Sequence, residues 1–106
     1  MAKFLWKASY SSDGAKGLLK EGGTGRRAAV EQVVEGMGGK VEAFYYALGD
    51  DDVIVIVDLP DNTTAAAISI AINSVGAVQV KTVPLLTAED LDEATKKSVE
   101  YRPPGG

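Results

Sequence analysis

Seven side chains in this sequence of 106 residues have the chemistry for catalysis or ligand binding. Candidates for catalysis are three tyrosines and one carboxylate, and candidates for ligand binding are one tryptophan and two arginines: Tyr10, Tyr45, Tyr46, Asp52, Trp6, Arg26 and Arg27. A tyrosine hydroxyl can orient a small aromatic or carbonyl compound, and it can donate a proton if its pKa is lowered. Aromatic side chains more often serve packing, so each tyrosine has that alternative role. Because Tyr45 and Tyr46 point to opposite faces of a strand, at most one of them lines any given cavity.

Composition narrows the chemistry, because the chain has no cysteine and no histidine. This absence excludes disulfides, thiolate nucleophiles, metal sites built on Cys or His, and the usual general base at neutral pH. We therefore predict no metal site and no cofactor. The net charge of −4 disfavours nucleic-acid binding. No apolar run approaches the ~20 residues of a membrane span, and the N-terminus turns polar too soon for a signal peptide, so we expect a cytoplasmic protein without a membrane partner.

An acidic run, Asp50-Asp51-Asp52, could offer oxygen ligands to Ca²⁺ or Mg²⁺. Its spacing does not match an EF-hand loop, and aspartate is common in turns. We favour a solvated hairpin turn.

A glycine-rich run, Gly22-Gly23-Thr24-Gly25, precedes Arg26 and Arg27 and could cradle an anion at the start of a helix. The alternative is a flexible loop with exposed arginines, and Thr24 could cap the following helix. Because glycine-rich loops are common, we favour the loop.

The elements that must position these side chains follow from periodicity. Val53–Leu59 is apolar at nearly every position, so both faces of the sheet centre require cover. Simple alternation places Val41 with Ala43 and Tyr45 on one face of the preceding strand. The predicted strands are Lys3–Tyr10, Lys40–Leu48, Val53–Leu59 and Ala77–Leu86, and the predicted helices are a short turn at Ala15–Glu21, then Arg26–Met37 and Ala65–Asn73.

This order predicts an α+β protein with a ferredoxin-like βαββαβ fold, in which both main helices cover one face of a four-stranded antiparallel sheet. The other face is left apolar, and such a surface usually marks an interface. We therefore expect a second copy to close it, giving a dimeric α/β barrel or a larger homo-oligomer. The predicted divisions are the domain at residues 1–87, a short C-terminal helix at 88–99 and an extended tail at 100–106.

The tail holds Tyr101 and Arg102 before two prolines. One interpretation is a frayed terminus. The other is an arm that grips a neighbouring subunit, because interfaces favour aromatic residues and arginine.

Several short motifs resemble the GYD domain, a family of small bacterial proteins related to the dimeric α/β-barrel superfamily. They are Gly38-Gly39-Lys40 before Phe44-Tyr45-Tyr46, Gly49-x-x-Asp52-Val53, Asp58-Leu59-Pro60-Asp61, and Gly76 before Val80-Lys81-Thr82, within residues 3 to 87. The resemblance implies a ferredoxin-like fold and self-association. The family's Gly-x-Tyr-Asp signature has Asp51 at its tyrosine position here, so any chemistry of that tyrosine is missing.

The function expected from these features is a bacterial, self-associating binding or accessory module, with a small apolar or aromatic compound as a second candidate partner. The alternative is a cofactor-independent isomerase or monooxygenase for a small aromatic or lactone-like substrate. The wider superfamily includes such enzymes, but this is an analogy of fold alone.

Overall fold

The computed structural model describes all residues from Met1 to Gly106 and contains one four-stranded sheet and four helices. The strands are β1 (Ala2–Tyr10), β2 (Lys40–Tyr46), β3 (Val53–Leu59) and β4 (Val78–Leu85), and the helices are α1 (Ser12–Glu21), α2 (Gly23–Gly36), α3 (Asn62–Val75) and α4 (Ala88–Thr95). Every neighbouring pair of strands is antiparallel, in the order β2-β3-β1-β4. The predicted α+β class and the antiparallel four-stranded sheet are confirmed.

The core lies between one face of the sheet and the helices α2 and α3. In β3 alternate residues are buried, from Val53 to Leu59, while Ile54 and Ile56 on the opposite face are half-buried. Side chains of β1, β4 and the two helices complete the core on the same side: Phe4, Trp6, Ala8, Val80, Val34, Ala65 and Ile68. The helices thus cover only one face.

Strand β2 departs from simple alternation. Its register shifts between Val41 and Ala43, which leaves Glu42 as an extra residue opposite β3. Val41 pairs with Val57 and packs against the core, whereas Ala43 pairs with Ile56 on the other face. The prediction that Val41 shares a face with Ala43 and Tyr45 was therefore wrong, because a β-bulge inserts one residue and reverses the phase of those that follow.

The segment before α2 is more helical than the sequence indicated. Helix α1 covers ten residues, and its N-cap Ser11 accepts a hydrogen bond from the Gly14 N–H. Only Gly22, with φ of 80°, separates α1 from α2. The flexible loop predicted at residues 22–25 was wrong, as was the cap at Thr24, because a glycine with positive φ turns the chain in a single residue.

Helix α3 has the predicted caps and is tied to β4. The Asp61 carboxylate accepts from the Thr64 N–H at 2.8 Å, and Gly76 ends the helix in the left-handed conformation. Near that end the Asn73 side chain accepts from the Val80 N–H at 2.7 Å and donates to the Val80 carbonyl at 3.2 Å. These bonds fix the end of α3 over the sheet.

The C-terminal segment extends away from the sheet and helices. Helix α4 begins with the predicted capping box between Thr87 and Asp90 and ends at Thr95, inside the predicted range 88–99. Every residue from 88 to 106 is exposed. The radius of gyration is 16.9 Å, against roughly 13 Å for a compact chain of this length. The single chain therefore offers α4 and the tail almost nothing to pack against.

Candidate functional site

A cleft of about 510 Å³ lies between α1, α2 and α3, above the end of β1 and the start of β4. It exists because α3 packs over β4 and β3 while α2 packs over β2, so the two helices scarcely touch. Most of its lining is apolar, including Leu18, Val33, Met37, Ile68, Ala71 and Val75. A volume of this size suits a small organic molecule.

Helix α2 lines the cleft with part of its apolar surface. Val34 is completely buried, but Val33 and Met37 are 50% and 42% exposed and face the cleft. They remain uncovered because of the gap between α2 and α3.

The polar end of the cleft is formed by Tyr10 at the end of β1 and Arg26 in the first turns of α2. Beneath them is a deeper cavity of about 40 Å³, which both residues also line together with Trp6. The Tyr46 hydroxyl donates to the Gly23 carbonyl at 2.9 Å. Because Gly23 is the first residue of α2, this bond fixes the helix turn that carries Arg26.

Burial and the nearby Tyr46 hydroxyl raise the pKa of Tyr10, while the Arg26 guanidinium acts in the opposite direction. At neutral pH the Tyr10 hydroxyl is therefore protonated and can donate a hydrogen bond. A raised pKa is the reverse of what a phenolate base would require.

The structure thus brings together four of the seven candidate residues, namely Trp6, Tyr10, Arg26 and Tyr46. It separates the other three from the cleft. Tyr45 is 70% exposed on the opposite face of the sheet, and Arg27 is exposed on α2.

Asp52 has structural partners beside the cleft. Its carboxylate accepts from the Tyr10 N–H at 2.9 Å, and its own N–H donates to the Ala8 carbonyl at 2.8 Å. It therefore holds the β2–β3 turn against the end of β1 and sets the backbone that presents Tyr10.

The structure also shows where the acidic run at residues 50–52 and the glycine-rich run at residues 22–25 lie. No group of three or more acidic side chains has an arrangement that could hold a metal ion, and this includes the turn at residues 50–52. Gly23, Thr24 and Gly25 lie within α2 and form no anion-binding loop.

Sequence reasoning missed the Trp6 indole as a polar group of the site. Trp6 is 2% exposed, and its Nε1 is a buried donor without an acceptor. It also missed α1 as a wall of the cleft. Gly14 was the available signal, because a residue without a side chain allows the helix backbone to lie close to the Ala77 carbonyl.

Together these features define a small α+β domain with a ligand-sized apolar cleft on the helix side of its sheet. The family model of the GYD domain matches residues 4–95, so the chain belongs to the GYD domain family. The match extends beyond residue 87 and includes α4. No curated protein and no solved structure matches the chain. None of its helices combines the length and apolar character needed to cross a membrane.

Proposed function

We propose that this chain is a ferredoxin-like domain that associates with a second copy through its sheet, as a dimeric α/β barrel, and binds a small apolar compound in the cleft. The observation that carries the proposal is the outer face of the sheet, opposite the helices. Its apolar side chains include Leu5, Ala43, Tyr45, Ile54, Ile56 and Val83, and Lys7 and Lys81 lie in the same row as Ile54 on this face.

The outer face has an apolar band across all four strands, formed by Ala43, Ile56, Leu5 and Val83, with charged side chains on both sides of it. Ile54 lies between Lys7 of β1 and Tyr45 of β2, and Tyr45 is 70% exposed in the single chain. At one end, Lys3 bonds to Glu42 and Asp58, both at 2.9 Å. An apolar centre with a polar rim is the usual anatomy of a protein interface.

A second copy is the occupant that we infer. The sheet face is four strands wide, and no helix of the same chain covers it. Closed dimers use the same surface on both subunits, so an apolar patch can cover its own copy. The same proposal includes larger even-numbered assemblies built from this dimer. It also includes a bacterial, cytoplasmic setting.

An enzyme is the second candidate, favoured by the meeting of Tyr10 and Arg26 at the polar end of the cleft. The reaction would be a cofactor-independent isomerisation or oxygenation of a small aromatic or lactone-like compound. The raised pKa of Tyr10 and the structural role of Asp52 make both poor general bases, and the remaining carboxylates of the cleft, Asp13 and Glu21, are exposed. We therefore place the binding module first.

Native mass spectrometry at micromolar concentration tests the proposal, because it reports subunit number and retained ligand mass together. We expect an even-numbered oligomer for the natural sequence. Ile54→Glu places a charge at the centre of the outer face and should give a monomer. Ile70→Glu is the matched control, since Ile70 is 69% exposed on α3, away from both the outer face and the cleft.

A monomeric natural protein, or the same subunit number for both variants, would refute the assembly. Circular dichroism establishes that both variants are folded. If retained mass accompanies the oligomer, a Tyr10→Phe variant separates the candidates, because a binding module keeps the ligand unchanged while an enzyme loses turnover of it.

A further inference from the structure

The deep end of the cleft contains hydrogen-bond donors and no acid. The cavity of about 40 Å³ is lined by 11 residues, of which all but Arg26 are aromatic or aliphatic. Its polar groups are the Trp6 indole, the Tyr10 hydroxyl and the Arg26 guanidinium. The two acidic side chains of the site, Asp13 and Glu21, line the open cleft above.

Trp6 supplies the most specific evidence. The side chain is 2% exposed, and its Nε1–H has no acceptor in the structure. Buried donors are nearly always paired in folded proteins, because an unpaired donor loses its bond to water without compensation. An acceptor brought into the cavity by a ligand would restore that bond.

Arg26 supplies the charge. It lines both the deep cavity and the open cleft, and it forms no ion pair with any carboxylate of the chain. A half-buried guanidinium beside a neutral hydroxyl and an indole N–H favours an anion. Charge-assisted hydrogen bonds from arginine to a carboxylate are among the stronger ones in proteins.

We propose that the ligand is an apolar carboxylate, with its carboxylate group in the deep cavity and its hydrocarbon or aryl body in the open cleft. The inference depends on the proposed binding function and names its ligand class. The sizes agree, because the small cavity has room for little more than one water or one carboxylate, while the cleft has room for a body of many carbon atoms. A cavity this small also admits a single water molecule, which is the competing occupant.

Trp6 is the only tryptophan of the chain, so one indole N–H resonance and one fluorescence signal report this site directly. The probes are 4-phenylbutyrate and 4-phenylbutan-1-ol, which share an apolar body and differ in the carboxylate. We expect 4-phenylbutyrate to shift the indole N–H resonance and to bind at least tenfold more tightly than the alcohol. An indole resonance that does not move at saturating acid would assign the cavity to water and overturn the inference.

Arg26→Met removes the charge while keeping an unbranched side chain, and Arg27→Met makes the same change at the exposed neighbouring position. We expect at least tenfold weaker binding of 4-phenylbutyrate for Arg26→Met and a change of less than twofold for Arg27→Met. Equal losses in the two variants would show a non-specific effect of net charge and would overturn the assignment.

Different results would refute the ligand class and the ligand-binding function. If acid and alcohol bind equally well, the cleft is a binding site for apolar compounds but the carboxylate class is wrong. If neither binds, the ligand-binding part of the proposed function also falls. Self-association is measured separately, by subunit number.

Discussion

The contact between Gly14 of α1 and the Ala77 carbonyl gives a sharp test of how the cleft is built. A Cβ at position 14 would lie 2.0 Å from the Ala77 oxygen and 3.2 Å from the Tyr10 ring. The first distance is far inside van der Waals contact, so α1 would have to retreat by more than an ångström. At Gly17, three residues further along the same helix, a Cβ would meet nothing within 4 Å.

The cost of Gly14→Ala follows from what the Ala77 carbonyl does. It accepts from the Ser11 N–H at 3.0 Å and from the Ser11 hydroxyl at 3.2 Å, and Ser11 caps α1. Loss of these two bonds costs about 0.5–1.5 kcal/mol each, and alanine returns about 1 kcal/mol of helix propensity. Adding the strain of overpacking, about 1–3 kcal/mol, we expect Gly14→Ala to lower the free energy of unfolding by about 1–5 kcal/mol.

Gly17→Ala is the matched control. It gains the same helix propensity without the clash, so it should stabilise the protein by up to about 1 kcal/mol. Urea denaturation followed by circular dichroism and by Trp6 fluorescence measures both, at equal protein concentration because association shifts apparent stability. If Gly14→Ala proves as stable as Gly17→Ala, the close contact between α1 and the start of β4 is not present in solution.

Two further predictions concern the α3 cap and the C-terminal segment. The pKa of Asp61 is lowered because its carboxylate accepts from the Thr64 N–H and the Thr64 hydroxyl. Its contribution is therefore present above the unfolded pKa of about 3.8 and is lost as the pH falls through the lower folded pKa. Asp61→Ala should reduce Tm at pH 7, and the reduction should become smaller as the pH falls below 3.8. An equal reduction at every pH would show that the charge of the carboxylate does not strengthen this cap. Residues 88–106 are all exposed, so truncation after Leu86 should change the free energy of unfolding by no more than about 0.5 kcal/mol. The comparison is made in the Ile54→Glu variant, which is expected to be a single chain, with and without the truncation. A larger loss would show that α4 packs on its own domain.

The strands could be predicted because they depend on local signals. The apolar run at Val53–Leu59 identified one strand to the residue. Helix α3 was predicted from Ala65, but it begins earlier, at Asn62, because the Asp61 side chain caps it. β-branched residues favour extended strands, and aspartate favours the N-cap position of a helix.

The bulge at Glu42 and the helix α1 could not be predicted in the same way. The bulge depends on pairing with β3, and the Glu42 carboxylate is bonded to Lys3 of β1, which is distant in sequence. Helix α1 contains two glycines, so its propensity is poor, and it forms because it packs against α2 and β1. Tertiary contacts decided both.

The residues of the candidate site were predicted from the sequence, but their arrangement in space was not. Tyr10, Arg26 and Trp6 were named from their chemistry, but only the packing of the helices shows that they line one cavity, with Tyr46 near Tyr10. The unpaired Nε1 of Trp6 is a property of the surrounding fold, because it depends on which acceptors the other strands and helices place nearby.

The two apolar surfaces of this domain differ in shape, and the difference favours different partners. The outer face is the open side of a four-stranded sheet, so a small molecule there would bury only one of its sides, whereas a second sheet would cover the whole surface. The cleft is concave and can enclose most of a small ligand. Both surfaces are built on β1 and β3: Trp6 pairs with Val55 on the cleft side, and Lys7 pairs with Ile54 on the outer side. A partner sheet would therefore hold in place the same two strands that form the floor beneath the ligand. Under the proposed function, loss of the dimer should weaken ligand binding even though no outer-face residue lines the cleft.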